Sequence, residues 1–333
     1  MTDHAQLIAK AEEVLLPGKR CIINPDIDGI LSALVLQSVL DWKIAGWYDS
    51  KDTLWVSEDA VDESDECVYI DVFVVPENIR CIDQHIVAID ADHCGSLAGN
   101  ARKINPNIER VRYASPDTSD ASAYAWKYPF GSVHFIIAML EALGHDVAID
   151  LSRPIFGSLT VADVILRADD AARTTAYRYK KNAADWWDWL KDLGGPMTAQ
   201  LADCAQGTKK AHADNAYAVC DEIFKKVYGC NTADGGFGRS IKKSAGALDD
   251  GKRQLLDDLA AGTGLAPLVF ADKYTAIAGT YGTKPSYNIP EIRDLLAGDS
   301  LFSYAFIACM GPASFRGFSY TFDMPLEAHD AIH

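Results

Sequence analysis

The stretch INPDIDGILSALVLQ, residues 23–37, joins an apolar run to a helical pattern through two closely spaced aspartates. The run at residues 21–23 is typical of a buried strand, and Asp26 and Asp28 follow at its end. From Gly29 apolar residues recur at helical spacing, which predicts a helix over GILSALVLQSVLDWK, residues 29–43. This order predicts a strand, a short turn with two carboxylates and then a helix, which is a building unit of α/β folds.

The alternation of short apolar runs with helical patterns continues to about residue 170. Further strands are predicted at TLWVS, ECVYIDVFVV and IRCIDQH, and a long helix at GSVHFIIAMLEALG, which Gly144 closes. Because strands and helices alternate, we predict an α/β domain with a mostly parallel sheet. In such sheets, ligands bind beyond the carboxyl ends of the strands.

Changes of pattern divide the 333-residue chain into three predicted parts. Residues 1–170 form the mostly parallel α/β domain, and residues 171–262 form a helical connector. Strand and helix patterns mix again in residues 263–333, beginning with a predicted strand at LAPLVFAD, and this predicts a smaller C-terminal α/β domain. The tryptophans of WWDW at residues 186–189 favour packing in a core over stacking on nucleic-acid bases.

Composition and charge argue against several classes of protein. No stretch reaches the roughly 18 apolar residues of a membrane helix, so no membrane partner is expected. Residues 1–16 predict an amphipathic helix and not a signal peptide. The net charge of −16 disfavours a protein that grips long duplex DNA. The eight cysteines form no CxxC pair, which indicates buried free thiols and a cytoplasmic location.

Besides Asp26 and Asp28, three other acidic residues and one histidine fall at or near the ends of predicted strands: Asp71, Asp83, Asp163 and His85. A single acid at such a position is ordinarily a helix cap or a turn residue. Asp71 and Asp163, however, lie inside apolar segments, where an unpaired carboxylate costs several kcal/mol. Like charges that converge in one crevice need a cation, and oxygen ligands with one imidazole favour Mn²⁺ or Mg²⁺. The sequence therefore predicts a carboxylate-held metal site.

Four segments, NPDIDG, VYIDV, DQH and GSLTVADV, occur in the order of the four motifs of the DHH phosphoesterase superfamily and resemble them. That group includes RecJ-like single-strand exonucleases, nanoRNases, cyclic-dinucleotide phosphodiesterases and a class of inorganic pyrophosphatases. The segments INPN and YPFGSVHFIIAMLEALG also resemble the region between the third and fourth motifs in RecJ-like members. The resemblance covers roughly residues 18–170.

The resemblance implies a set of metal ligands and substrate contacts. The implied metal ligands are Asp26, Asp28, Asp71 and Asp163, while Asp83 either orients its loop or joins the metal shell. His85 takes the place of the substrate-contacting histidine, and with Asp28 and Asp71 it forms the implied catalytic set. In the C-terminal part, MGPASFRGFSYTF implies substrate contacts from Ser314 and Arg316.

The function implied is hydrolysis of a phosphodiester in short or single-stranded nucleic acid or in a small nucleotide. One or two Mn²⁺ or Mg²⁺ ions would be bound, and a pair about 4 Å apart would activate the attacking water. The expected partner is an oligonucleotide or nucleotide substrate, and a homodimer is compatible with the sequence.

Gln84 departs from the family pattern, because it stands where the family has the first histidine of DHH, a metal ligand. By its position Gln84 is itself an implied metal ligand, although a neutral amide oxygen is a poorer ligand than imidazole for a transition metal. The alternative interpretation is therefore a catalytically degenerate scaffold that binds a nucleotide, a nucleic-acid end or a protein partner. Pyrophosphate or phosphomonoester hydrolysis is a weaker third interpretation. Gln84 disfavours it, as does Ile22, which replaces a histidine of the small-substrate members.

Overall fold

The computed structural model describes residues 4–115, 122, 124–151, 177–207, 226, 250–284, 289–298, 300–308 and 315–326. Asp163, Ser314 and most of the predicted connector between residues 208 and 249 lie outside this part of the chain. The predicted division at residues 170 and 262 stays a prediction.

Seven short strands form the main sheet. They are β1 (Arg20–Ile23), β2 (Lys43–Tyr48), β3 (Thr53–Ser57), β4 (Val68–Ile70), β5 (Arg80–Ile82), β6 (Lys103–Ile104) and β7 (Tyr274–Ala278). Their order across the sheet is β6-β5-β4-β1-β2-β3-β7. Neighbours from β6 to β2 are parallel, and β3 and β7 are antiparallel to their neighbours. The prediction of an α/β fold with a mostly parallel sheet is confirmed.

The helices in the described residues are α1 (Ala5–Val14), α2 (Ile27–Leu40), α3 (Ala91–Ala98), α4 (Pro106–Glu109), α5 (Ser132–Ala142), α6 (Tyr177–Leu193), α7 (Pro196–Gly207), α8 (Asp250–Thr263) and α9 (Ile289–Leu296). The helices predicted after Gly29 and at GSVHFIIAMLEALG are present, and the described residues contain further helices that were not predicted, α3 and α4 among them. Two short 3₁₀ helices cover Glu58–Glu63 and Tyr124–Trp126. None of the helices in the described part of the chain combines the length and apolar character that a membrane crossing requires.

One apolar core lies between the sheet and the helices α1, α2, α5, α6, α7 and α8. The tryptophans of α6 belong to it, since Trp186, Trp187 and Trp189 are all buried. The Trp187 ring stacks on that of Phe130 with 4.2 Å between centroids. The prediction that these rings form part of a core is confirmed.

A second core lies on the other face of the main sheet, between it and a second, smaller sheet. Its strands are β8 (Thr280–Lys284), β9 (Leu301–Ala308) and β10 (Phe315–Phe322), antiparallel in the order β8-β10-β9. β7 and β8 are separated by Gly279 alone, so one continuous segment passes from the main sheet to the second. A Cβ at Gly279 would lie 2.8 Å from the carbonyl oxygen of Phe322, which explains the glycine at this crossing.

Three details differ from the sequence prediction, each for a local reason. The helix predicted to run to residue 43 ends at Leu40, because Asp41 takes a left-handed conformation and β2 begins at Lys43. A strand was predicted at LAPLVFAD, but residues 265–272 form no strand. The Gln37 side chain, which accepts from the Val269 N–H at 2.6 Å and donates to the Pro267 carbonyl at 2.7 Å, satisfies part of that backbone instead. β4 is also shorter than predicted and ends at Ile70, because Asp71 takes a left-handed conformation.

Glu141, near the end of α5, caps the beginning of α7. Its carboxylate accepts hydrogen bonds from the backbone N–H groups of Gly195, Met197 and Thr198 at 2.9, 2.7 and 3.0 Å. The Thr198 hydroxyl adds a fourth bond at 2.6 Å. A carboxylate at a helix N-terminus satisfies unpaired donors and interacts favourably with the helix dipole.

We expect Glu141→Ala to lower the free energy of unfolding by about 2–3 kcal/mol, because it leaves charge-assisted hydrogen bonds unmade. Urea denaturation followed by circular dichroism measures the change. The control is Glu12→Ala at an exposed position of α1, which we expect to change stability by less than about 0.5 kcal/mol. Equal effects of the two substitutions would contradict the capping role.

Candidate metal centre

The candidate centre lies where the chain leaves three adjacent parallel strands. Asp26 follows β1, Asp71 directly follows β4, and Asp83 directly follows β5. Because β5, β4 and β1 are neighbours in the sheet, their carboxyl ends meet at one edge. The three strand ends that carry these acids therefore lie at the same edge of the sheet, and the roles of the acids stay predictions.

Asp71 changes the direction of the chain at the end of β4. Its φ of 58° is left-handed, a conformation that aspartate tolerates better than most residues. Its backbone N–H still donates to the Ile82 carbonyl at 2.8 Å. The side chain, buried with its residue 2% exposed, accepts from the Ser132 hydroxyl at 2.8 Å and from the Asn24 amide at 3.1 Å. The turn thus directs the carboxylate into a polar cluster formed by Asp71, Asn24, Asp26 and Ser132.

Asn24 lies between two of the predicted ligands. Its Nδ2 is 3.1 Å from Oδ2 of Asp26 and 3.1 Å from Oδ2 of Asp71. The other oxygen of Asp26 accepts from the Gly29 N–H at 3.0 Å and so caps α2. Asp26 therefore serves as the helix cap that a single acid at a strand end ordinarily forms, while one oxygen faces the cluster. No role was predicted for Asn24, because its contact with Asp71 depends on which strand ends meet in the sheet.

Asp83 orients His85. A carboxylate only accepts, so Nδ1 of His85 is the donor in the 2.6 Å bond to Oδ1 of Asp83. The His85 backbone N–H donates to Oδ2 at 3.0 Å, and Asn105 donates to Oδ2 at 3.1 Å and to the His85 carbonyl at 2.8 Å. Asp83 is completely buried, whereas the His85 side chain is 39% exposed. His85 is therefore the member of the pair that a ligand can reach.

The electrostatic surroundings of His85 favour its protonated form. Burial lowers the pKa of His85, but the charge of Asp83 and its hydrogen bond raise it. Lys127 opposes this increase and Asp26 adds to it, and the net result is a pKa above the ordinary value. The carboxylates thus dominate the potential at the ring, and a cation that binds Nε2 would take the place of the proton that they favour there.

Asp71, Asp83 and His85 form a group that fits a divalent cation. One ligand atom from each lies within 4.8 Å of the others. Opposite ligands of Mg²⁺ lie about 4 Å apart, so these separations are close to those of ligands that share one ion, and Asp83 could join His85 on that ion only by giving up its hydrogen bond with Nδ1. Two carboxylates and an imidazole suit Mn²⁺ or Mg²⁺, and each carboxylate oxygen can accept more than one partner.

Asp28 faces a different partner. Its Oδ2 and Oδ1 accept from the backbone N–H groups of Ser132 and Val133 at 2.7 and 3.0 Å, at the beginning of α5. Asp28 is completely buried and lies outside the group of three whose ligand atoms are within 4.8 Å. Its contact with the cluster runs through Ser132, which bonds both Asp28 and Asp71. Its metal-ligand role stays a prediction.

Gln84 lies between the two residues of the Asp83–His85 pair in sequence and is 9% exposed. Its backbone carbonyl accepts from Asn107 at 2.7 Å, and its amide nitrogen is 3.4 Å from Nε2 of His85. The amide therefore borders the same ring atom that a ligand would use. The segment INPN, noted above for its resemblance, supplies both Asn105 and Asn107 to this loop.

Lys103 of β6 holds the loop between β4 and β5. Its buried ammonium donates to the carbonyls of Val74, Pro76 and Ile79 at 2.7, 2.7 and 2.8 Å. Burial is the largest influence on Lys103 and lowers its pKa. Three carbonyl acceptors match the three donors of an ammonium group, so the loop that follows Asp71 has a defined path.

Comparison of this chain with protein-family models, with curated proteins and with solved structures gives no match. The resemblance to the DHH superfamily thus stays a prediction that rests on its motifs. Arg316 lies in β10, and Asp163 and Ser314 lie outside the described residues. The cysteines whose side chains the structure describes are buried free thiols, as predicted: Cys21, Cys67, Cys81 and Cys94.

Gly131 is required by the contact between Asp28 and α5, since a Cβ there would lie 2.5 Å from Asp28 Oδ1. We expect Gly131→Ala to destabilise the fold by about 1–3 kcal/mol through this overlap. Gly95→Ala in α3 is the matched control, because a Cβ there meets nothing within 4 Å. It should stabilise by up to about 1 kcal/mol through helix propensity. Urea unfolding of both variants tests the prediction, and the same sign of change in both would contradict it.

Proposed function

We propose that this chain is a metal-dependent phosphodiesterase acting on short or single-stranded nucleic acid or on a small nucleotide. The observation that supports the proposal best is the group formed by Asp71, Asp83 and His85 at the carboxyl ends of adjacent strands. The four motifs in family order, two of which contain these three residues, add support from the sequence. The protein is thus a hydrolase, of nuclease or nucleotide-phosphodiesterase type, that uses manganese or magnesium.

Each residue of the group has a separate task in this proposal. Asp71 and His85 bind the cation, and Asp83 binds it or fixes the His85 ring with Nε2 outward. A divalent ion there supplies Lewis-acid polarisation of a phosphoryl oxygen and a lower pKa for water. Lys127, whose charge acts on His85, adds positive charge to an otherwise acidic centre and favours a phosphate.

The surroundings of the site favour a small substrate. The chain has a net charge of −16, so a long polyanion is repelled except at a local cationic site. We further propose a cytoplasmic location, because buried reduced thiols suit a reducing compartment. Ser314 and Arg316 stay proposed substrate contacts from the C-terminal part, and Asp26, Asp28 and Asp163 stay proposed members of the metal shell.

We expect Asp71→Asn to reduce phosphodiesterase activity by more than about 100-fold. Loss of a residue that only hydrogen-bonds to a metal ligand reduces activity less, by about 10–100-fold. Asparagine tolerates the left-handed backbone at this position, so the fold should persist. The assay uses labelled dinucleotides, short single-stranded RNA and DNA and a cyclic dinucleotide, each in Mn²⁺ and in Mg²⁺. Asp257→Asn on the exposed side of α8 is the control. Activity of Asp71→Asn equal to that of the control would overturn the proposed function.

Gln84 supports a second candidate function, a scaffold that binds such a ligand without cleaving it. Its amide takes the place of an expected ligand and lies 3.4 Å from Nε2 of His85. This candidate predicts tight binding of one of the same oligonucleotides or nucleotides and no turnover in any divalent metal. Measured turnover that Asp71→Asn abolishes would exclude it.

We expect Gln84→His to bind Mn²⁺ about 10-fold more tightly than the natural chain, which corresponds to about 1.4 kcal/mol. The reason is that imidazole is a better ligand than an amide for a transition metal. Calorimetric titration with Mn²⁺ measures the affinity, and titration with Mg²⁺ provides the comparison, because Mg²⁺ should gain less. Unchanged affinity for Mn²⁺ would show that residue 84 does not face the ion.

A further inference from the structure

Ser132 connects two acids that come from different parts of the fold. Its hydroxyl donates to Oδ1 of Asp71 at 2.8 Å, and its backbone N–H donates to Oδ2 of Asp28 at 2.7 Å. The direction of both bonds is fixed because an ionised carboxylate only accepts. Ser132 is completely buried, so water does not compete for either bond.

The position of Ser132 at the beginning of α5 reinforces both contacts. α5 has 11 residues, and its unpaired N–H groups carry a partial positive charge that favours nearby anions. The carboxylate of Asp28 occupies two of these N–H groups, which locks the helix start against the first turn of α2. The Ser132 hydroxyl is then held at one place and can restrict the rotation of the Asp71 carboxylate.

We infer that Ser132 is a positioning residue for Asp71 in the metal centre. Its hydroxyl holds the Asp71 carboxylate in the orientation that brings its ligand atom within 4.8 Å of those of Asp83 and His85. The inference rests on the proposed function. Hydrogen bonds from a second layer of residues fix ligand geometry, and their loss ordinarily weakens metal binding by about 10–100-fold.

The test is a titration of the full chain with Mn²⁺, in which the electron paramagnetic resonance signal measures the concentration of free Mn²⁺. Ser132→Ala removes the hydroxyl and keeps the backbone bond to Asp28, and we expect its affinity for Mn²⁺ to fall by about 10–100-fold. Ser32→Ala is the matched control. Ser32 is equally buried in α2, and its hydroxyl has no hydrogen-bond partner among the described residues. Its removal should leave the affinity unchanged.

Two further variants separate positioning from a general loss of structure. Ser132→Thr keeps a hydroxyl at the same place, so its affinity for Mn²⁺ should stay within about threefold of that of the natural chain. This change is much smaller than the loss of about 10–100-fold expected when a hydrogen bond to a metal ligand is removed. Urea unfolding of each variant identifies any that is globally destabilised. Equal weakening in Ser132→Ala and Ser132→Thr, with both folded, would overturn the inference.

Asp71→Asn distinguishes failure of this inference from failure of the proposed function. If Asp71→Asn binds Mn²⁺ like the natural chain, the metal centre itself is wrong. If Asp71→Asn loses binding while Ser132→Ala binds normally, the centre stands and only the role of Ser132 is overturned. Loss in Asp71→Asn, partial loss in Ser132→Ala and no loss in Ser32→Ala together support both.

Discussion

The burial of the Asp71 carboxylate at the end of β4 is the constraint on which the rest of the site depends. A carboxylate removed from water requires hydrogen-bond donors or a cation, or its burial costs several kcal/mol. The chain brings one donor from the residue after β1, Asn24, and another from the start of α5, Ser132. This one side chain therefore connects the ends of β1 and β4 with the beginning of α5.

The same physical requirement explains why the neighbouring acids differ in role. Asp28 has both oxygens satisfied by the first N–H groups of α5, and Asp83 has both satisfied by His85 and Asn105. Asp26 and Asp71 share the Asn24 amide. An ion at the centre would compensate the negative charge of Asp26 and Asp71, whose hydrogen bonds described above come from neutral donors. Asp28 and Asp83 already have donors for both oxygens, so their main task is to fix the positions of α5 and His85.

Much of the fold follows from the sequence because periodicity is a local property. β1, the turn with its acids, α2 and α5 are visible in the spacing of apolar residues, and so are the acids at the ends of β4 and β5. β2 was not predicted, because its apolar residues follow closely on those of α2. The left-handed Asp41 marks the end of the helix, and no apolar pattern shows that conformation. The roles of Asn24 and Ser132 were not predictable, since each depends on which strand and helix ends meet in three dimensions. No local pattern carries that information.

The passage of one segment between the two sheets has a mechanical consequence. β7 is paired to β3 and β8 is paired to β10, and a single glycine links the two strands. Pulling the second sheet away would have to break one of these ladders, because one residue gives no slack. The two sheets should therefore lose their structure in one cooperative transition, and β9 also lies directly beside the loop that follows Asp71, where the Ser303 hydroxyl donates to the Phe73 carbonyl at 2.7 Å.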